Sequence, residues 1–236
     1  MRYTRHELKQ DKFAESAAEA VHEVVEHRAG IIKGLIALIV IGVLIGGSYW
    51  YFSSREAMAS DALGRALVTY NAPVVPPGSP QQGPMLTFHS DQERLITAKK
   101  DFYAISDQYG WTSSGQYARY LAAMCEAQLG NDAVAEDQLR ALSNSRRREL
   151  SALAKYALAS VYHDEKRDQD AINLLQTLID KPTSSVPRPT AQLALANIYA
   201  AEHQPDKAKV VLDQIIKQNP NTELSEIAKS RESDLK

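Results

Sequence analysis

The sequence has little sulfur and little net charge. Only one of its 236 residues, Cys125, is a cysteine. A single thiol excludes both an intrachain disulfide framework and a zinc cluster built on several thiolates. Acidic and basic residues nearly balance, giving a formal net charge of -2, so the composition does not favour a nucleic-acid binder.

Sequence signals for catalysis are also missing. The six histidines are scattered, and the nearest pair, His22 and His27, lacks the spacing that would place two metal ligands on one helical face. The chain has no glycine-rich phosphate loop and no Gly-x-Ser-x-Gly turn, and no histidine lies beside Cys125 to activate its thiol. We therefore expect no metal site, no cofactor, no small-molecule substrate and no enzyme activity.

One segment is far more hydrophobic than the rest. Residues 31–52 read IIKGLIALIVIGVLIGGSYWYF and carry a single charge, Lys33, whose long side chain can reach the lipid headgroups. As a helix this segment would be roughly 30 Å long, which is the thickness of the hydrocarbon core of a bilayer. It is longer than the apolar core of a signal peptide, and bulky aromatic residues end it. We expect an uncleaved transmembrane anchor.

The anchor divides the chain into three parts. We expect a cytoplasmic, helical tail at 1–30, a transmembrane helix at 31–52 and a helical repeat domain at 53–236. The basic residues of the short tail favour a cytoplasmic N-terminus, and a long C-terminal domain crosses the membrane largely regardless of its charge. In a bacterium the domain would lie in the periplasm, anchored in the inner membrane. Gly42 and Gly46 have the spacing at which a second membrane helix can pack closely, although glycine is also common in membrane helices without such contacts.

Beyond the anchor the sequence favours helix except at one place. Residues 54–70 form an apolar helical pattern, but 72–89 contain five prolines, which lack the amide donor that a helix needs. We expect an exposed loop at 72–89. Helix resumes after Ser90, which forms a capping-box pattern with Glu93, and a last helix is expected from Thr222 to Leu235.

The domain repeats itself with a period of 36 to 37 residues. The signature Ala-x3-Leu-x2-Leu, or a close variant, occurs four times, beginning at Ala98, Ala135, Ala171 and Ala208. This period fits helix-turn-helix units, in which small residues let two antiparallel helices approach and large apolar residues fill the space between them. The predicted fold class is therefore all-α: one transmembrane helix followed by an α-solenoid.

These units resemble tetratricopeptide repeats. The last unit carries the family's residue types at the family's spacing, at Leu195, Ala196, Tyr199, Ala208, Leu212 and Pro220. The preceding unit has most of them, at Leu158, Ala159, Tyr162, Ala171 and Leu175. Both units depart from the family in its first-helix tryptophan, which is replaced by Lys155 and Gln192. The resemblance implies a non-catalytic module that binds other proteins.

The order of parts is similar, over nearly the whole length, to the ancillary subunit family of the bacterial Sec translocon. The similarity lies in the short tail, the anchor ending in aromatics, the helix that follows, the degenerate repeats and the final helix. It implies an inner-membrane protein whose periplasmic repeat domain associates with the translocon and with a membrane-anchored periplasmic chaperone, and helps to handle secretory chains. The alternative is a structural scaffold for assembly of a cell-envelope complex.

Candidate binding residues lie on the first helices of the repeats, which line the groove of a superhelical stack. Tyrosine suits such a groove because it supplies contact area and a hydrogen-bonding tip, although core packing would also explain the tyrosines. The residues expected to line the groove are Tyr117, Arg119, Tyr120, Lys155, Tyr156, Gln192 and Asn197. A second candidate is the cluster Arg146 to Arg148, which would meet an acidic partner or simply be solvated.

Overall fold

A computed structural model describes residues 28–76 and 86–235 of the chain, and most of these residues are helical. Most of the predicted tail, residues 1–27, and the middle of the predicted loop, residues 77–85, lie outside the described part. The described residues form nine helices: α1 (Arg28–Tyr70), α2 (Asp91–Tyr109), α3 (Ser113–Gln128), α4 (Asp132–Ser143), α5 (Arg148–Asp164), α6 (Asp168–Asp180), α7 (Arg188–Ala201), α8 (Pro205–Gln218) and α9 (Glu223–Ser233). The predicted all-α fold class is confirmed.

Helix α1 changes its chemistry along its length. From Ile32 to Phe52 its large apolar side chains are at least half exposed, and the helix is long and apolar enough to be a candidate membrane span. Further along, Ala59, Leu63 and Ala66 are buried at helical spacing. The chain accordingly divides into two compact units, of which the first ends at Ser54 and the second begins at Arg55.

The second unit consists of four helical hairpins and a final helix. The end of α1 pairs with α2, α3 with α4, α5 with α6, and α7 with α8, while α9 packs against α8. We call α1, α3, α5 and α7 the first helices and the others of each pair the second helices. The signature alanines lie on the second helices and are fully buried, namely Ala98, Ala135, Ala171 and Ala208. The predicted repeat is confirmed, because each alanine lies where two helices touch.

The core of this unit has two parts that share one helix. One cluster is built from α1, α2 and α3, and the other from α3 to α9. Helix α3 contributes Ala122 and Cys125 to the first cluster and Ala123 to the second. Burial raises the pKa of the Cys125 thiol to about 11, so the residue is an inert core side chain rather than a nucleophile.

The turns inside the last three hairpins are alike. Gly130, Lys166 and His203 have left-handed backbones, with φ of 77°, 64° and 57°. Around Gly130, its N–H donates to Ala127 O at 3.0 Å and the next N–H, that of Asn131, donates to Glu126 O at 2.9 Å. The same pair of bonds recurs around Lys166 and His203. This is the Schellman ending of a helix, which satisfies carbonyls that the last turn leaves unpaired.

The first hairpin contains the proline-rich segment in place of such a turn. Helix α1 ends at Tyr70 and α2 begins at Asp91, close to the predicted limits of 72–89. The two ends of the segment meet, since Val75 N–H donates to Phe88 O at 2.8 Å and Phe88 N–H donates to Pro73 O at 3.1 Å. The loop is therefore closed at its base.

Helix ends follow the predicted capping residues with small differences. The Ser90 hydroxyl accepts the N–H of Glu93 at 3.1 Å, as a capping box requires. The Glu93 carboxylate, however, accepts the N–H of His89 rather than that of Ser90. Thr222 caps the last helix, which ends at Ser233, two residues before the predicted end.

Candidate functional site

Tyrosines from three successive first helices come together on one face of the repeat domain. Tyr70 ends α1, Tyr117 and Tyr120 lie on α3, and Tyr156 lies on α5. The rings of Tyr117 and Tyr120 stack with their centroids 5.7 Å apart. Burial, together with the nearby hydroxyls of Tyr117, Tyr70 and Tyr156, raises the pKa of Tyr120 to about 12. We call these four residues the tyrosine face.

Further residues at helical spacing extend the tyrosine face along α3 and towards α7. Residues three and four apart lie on the same side of a helix, so Tyr117, Tyr120 and the partly buried Met124 form one stripe. On α7, the exposed Asn197 occupies the place in its hairpin that Met124 has on α3. Its side-chain oxygen accepts a hydrogen bond from Arg231 of α9 at 3.4 Å. The face is thus aromatic on α1 to α5 and polar at α7.

Neighbouring side chains hold Tyr70 in place. Its ring lies 5.9 Å from that of Phe102, and the Arg94 guanidinium lies 5.7 Å from its centroid. Gln128 donates a hydrogen bond to its hydroxyl at 3.0 Å. A ring fixed in this way loses little conformational freedom when a partner binds, which favours binding.

Three predicted groove residues do not lie on the tyrosine face. Arg119, Lys155 and Gln192 each stand eleven positions before the left-handed residue of their hairpin, so they are equivalent residues of three repeats. Each directly precedes a residue of the stripe or its equivalent, and adjacent residues on a helix point about 100° apart. Neighbours such as Arg119 and Tyr120 were predicted to share one surface, but the helix geometry separates their side chains.

The contacts of two of these residues show where they lie instead. Arg119 lines a cavity of about 430 Å³ with Tyr103 of α2 and Gln138 of α4, two second helices. Gln192 is only 2% exposed and donates to Gln214 of α8 at 3.3 Å, beside a second cavity of about 420 Å³. Both residues therefore face the second helices, and their part in partner binding stays a prediction, as does that of Lys155.

Glu126, the one buried carboxylate among the described residues, was not among the residues predicted from the sequence. It accepts hydrogen bonds from Asn131 at 2.7 Å, Tyr103 at 3.0 Å and Lys99 at 3.2 Å. Burial opposes its charge, but these bonds outweigh burial and hold the pKa of Glu126 below its ordinary value. A carboxylate with so many donors ties α2 to α3 and to the turn before α4, and it is poorly suited to accept a proton from a substrate.

A signal for Glu126 was present in the repeat. It stands four positions before Gly130, just as Tyr162 and Tyr199 stand four before Lys166 and His203. An acid in the place of a repeated tyrosine indicates a local change of packing. Elsewhere in residues 28–76 and 86–235, no group of three or more His, Cys, Asp or Glu side chains is arranged to hold a metal ion.

The remaining predicted residues are the two glycines of the anchor and the arginine cluster. Gly42 and Gly46 lie on the exposed apolar part of α1 with nothing within 4 Å of the place where a side chain would begin. Arg147 donates to Trp111 O at 3.3 Å, and Arg148 donates to Pro182 O at 2.9 Å. Packing of a membrane helix against the glycines stays a prediction.

Comparison with known families agrees with this architecture. Residues 26–186 match the family model of a tetratricopeptide repeat-like domain, and residues 190–222 match that of a tetratricopeptide repeat. No curated protein and no solved structure matches the chain. Repeats of this kind indicate a module for protein–protein interaction and are typically non-catalytic. Because the first match covers more than half of the sequence, the chain belongs to the tetratricopeptide repeat-like domain family.

Proposed function

We propose that this protein is a membrane-anchored adaptor that binds other proteins on its tyrosine face and performs no catalytic step. The observation that carries the proposal is the convergence of Tyr70, Tyr117, Tyr120 and Tyr156 from three first helices. Tyrosine is enriched where proteins meet, because its ring supplies apolar area and its hydroxyl finds a hydrogen-bond partner.

The face suits a segment of another protein chain. Tyr117 is 36% exposed and Tyr120 and Tyr156 are partly buried, so the rings offer a shallow surface rather than a deep pocket. Many modest contacts along such a surface give moderate affinity. Membrane tethering compensates, since it raises the effective concentration of partners that are themselves in or at the membrane.

For the cellular setting we propose an accessory of the bacterial Sec translocon. The support is the similarity in the order of parts together with the candidate membrane span in α1. The tail at 1–30 would be cytoplasmic, the anchor at 31–52 would cross the inner membrane, and the repeat domain at 53–236 would be periplasmic. Its partners would be translocon subunits, a membrane-anchored periplasmic chaperone and secretory client chains.

Crosslinking in cells tests the binding face. A photoreactive amino acid is placed at Tyr117 or Tyr156 of the full chain, and captured proteins are identified by mass spectrometry. The matched control places it at Val134, a 45% exposed residue on the second helix α4. We expect the two tyrosine positions to capture the same proteins and Val134 to capture few of them.

The identity of the captured proteins decides between the functions. Translocon subunits, a membrane-anchored chaperone or varied secretory chains support the accessory function. Capture of the protein itself, or of one fixed envelope protein regardless of export, favours the scaffold instead. Equal capture of the same proteins from Val134 would contradict the tyrosine face as the binding surface.

The membrane orientation has its own test. A reporter enzyme that is active only outside the cytoplasm is fused after Lys236 of the full chain. Activity supports a periplasmic repeat domain. An inactive reporter, with a cytoplasm-active reporter working at the same position, would contradict both the orientation and the export role.

A further inference from the structure

The turns between successive hairpins form one edge of the repeat domain. They lie at 110–112, 144–147 and 181–187, and we call their surface, with the first residues of the helices they precede, the junction edge. Side chains connect one turn to the next: Arg147 bonds to Trp111 O, and Arg148 to Pro182 O. Glu149 accepts the N–H of Ser185 at 2.8 Å.

The start of the second unit lies on this same edge. The Glu56 carboxylate accepts the N–H of Ser113 at 2.7 Å and that of Ser114 at 3.0 Å, at the beginning of α3. Arg55 donates to Gln108 O at 3.2 Å, and its guanidinium lies 4.7 Å from the Tyr109 ring centroid. The junction edge is therefore the part of the domain to which the preceding chain is attached.

Chain connectivity keeps one end of this edge, at Arg55, close to the end of the proposed anchor. Arg55 follows Phe52, the last residue of the proposed anchor, by three residues, which span at most about 10 Å even when fully extended. The limit holds for Arg55 and the neighbours it contacts, Gln108 and Tyr109, whereas the turns at 144–147 and 181–187 reach the bilayer only if the edge docks on it. The inference rests on the proposed anchor, because without it the junction edge has no reason to be close to lipid.

The arginines of the junction edge differ from those elsewhere in the domain in their pairing with acids. Elsewhere in the domain Arg94 pairs with Asp91, Arg140 with Glu136, and Arg167 with three carboxylates. Within the described residues, the exposed cations of the junction edge form no ion pair: Arg146, Arg147, Arg148, Lys181 and Arg188. The carboxylates of Glu56 and Glu149 accept hydrogen bonds from backbone N–H groups and serine hydroxyls. Arg147 lies near enough to Glu56 to help lower its pKa without forming a close ion pair.

We propose that the junction edge docks on the anionic phospholipid headgroups of the membrane that holds the anchor. A guanidinium presents two parallel N–H donors to a phosphate, and a cation near an anionic lipid surface is attracted to it. Trp111 lies on this edge and is 43% exposed, and tryptophan favours the membrane–water interface. Docking would limit the tumbling of the domain about its attachment point.

The chain contains a natural reporter for this contact. It has two tryptophans, so Trp50→Phe leaves Trp111 as the one that fluoresces. The full-length variant is reconstituted in lipid nanodiscs of phosphatidylcholine alone, or with about a third phosphatidylglycerol, at low and high salt. Quenching of Trp111 by brominated lipid then measures its proximity to the bilayer.

Two groups of variants separate charge from folding. Arg146→Gln with Lys181→Gln removes two junction-edge cations that make no hydrogen bond among the described residues, and a second variant replaces Arg146, Arg147 and Arg148 with Gln. The control changes three exposed lysines away from this edge, Lys100, Lys166 and Lys207, to Gln. We expect the docked-to-free ratio to fall about five-fold for each junction-edge charge removed, and to be unchanged in the control.

The outcomes are distinct. Quenching that needs the anionic lipid, weakens with salt and disappears in the junction-edge variants supports docking. Quenching equal in both lipids, or equal in the Arg146→Gln, Lys181→Gln variant and the control, overturns it. Crosslinks from residue 146 to acidic proteins, with Trp111 unquenched in anionic discs, would also overturn it. Failure of the chain to remain in any disc would instead contradict the anchor.

Discussion

The two edges of the repeat domain are built differently. On one edge, the turns inside the hairpins at 129–131, 165–167 and 202–204 have equal length and the same hydrogen bonds. On the junction edge the turns have three, four and seven residues and are held by contacts from distant parts of the chain, such as Glu56 to Ser113. Local backbone hydrogen bonds fix the turns of the last three hairpins in the same way, whereas each turn of the junction edge is held by its own long-range contacts.

Among the substitutions that test this difference between the edges, one at Gly115 should have the largest effect on stability. A side chain there would collide with the carbonyl oxygen of Tyr109, across the tightest junction. Backbone cannot yield as a flexible side chain does, so Gly115→Ala should lower the free energy of unfolding by about 3 kcal/mol. Urea unfolding of the full chain in detergent, followed by helical circular dichroism, measures the loss.

Gly64 provides the matched control for that experiment. It is an exposed helical glycine on α1 with nothing within 4 Å of an added side chain. Gly64→Ala should stabilise the fold by about 0.5–1 kcal/mol through helix propensity. Equal stability of the two variants would contradict the tight junction.

On the edge formed by the hairpin turns, substitutions should act through backbone conformation rather than through steric clashes. Gly130 has a φ of 77° and open surroundings, so Gly130→Ala adds no clash but places an ordinary residue in the left-handed region. We expect a loss of about 1–2 kcal/mol in the same unfolding experiment. Gly130→Asn, which tolerates this region better, should lose less; a larger loss with Asn would contradict the assignment to backbone conformation.

On the junction edge, Glu56 should contribute in a pH-dependent way. Burial opposes its charge, but hydrogen bonds from Ser114 and Ser113 outweigh burial and lower its pKa below the ordinary 4.5. The stabilisation is therefore present above the unfolded-state pKa and disappears as the pH falls through the lower folded-state pKa. Glu56→Ala should cost about 1 kcal/mol at neutral pH, since it leaves the N–H groups of Ser113 and Ser114 in the first turn of α3 without their acceptor.

Unfolding of wild type and variant is compared from neutral to acidic pH. The difference should shrink towards zero in acid. Asp137→Ala is the control, because Asp137 is exposed and has no hydrogen-bond partner among the described residues. A pH-independent difference for Glu56→Ala would show that packing, not charge, makes the contribution.

The smallest expected effect is a gain in stability when glycine replaces Lys166 or His203. Lys166 and His203 occupy the left-handed position that Gly130 fills in the preceding hairpin. Lys166→Gly or His203→Gly relieves that strain but adds flexibility to the unfolded chain, so each should stabilise by about 0.5 kcal/mol. Thermal unfolding of the single and double variants measures the gain, and the double should show the sum. Destabilisation would mean that these side chains make contacts that matter more than the strain.

The difference between the edges also explains which features were predictable. Ala135, Ala171 and Ala208 recur at a fixed spacing, and helix periodicity alone shows that they share one face, so their burial was predicted correctly. The end of α1 and the proline-rich break were also predicted, because each depends on residues close together in the chain.

The candidate site was only partly predictable for the opposite reason. The sequence identified Tyr117, Tyr120 and Tyr156 as residues of successive first helices, but not that Tyr70 joins them from α1. It grouped Arg119 with Tyr120 as neighbours in sequence, although their side chains diverge on the helix. Glu56 and Ser113 are 57 residues apart. No local pattern encodes such a contact.

Helix α3 carries half of the tyrosine face and belongs to both parts of the core. Tyr120 itself packs against both clusters. A chain segment bound to Tyr117 and Tyr120 would therefore transmit a pulling force to both clusters. Pulling the segment away would load the whole domain rather than unfold one hairpin alone. An adaptor bound to a moving chain would benefit from this resistance to local unfolding.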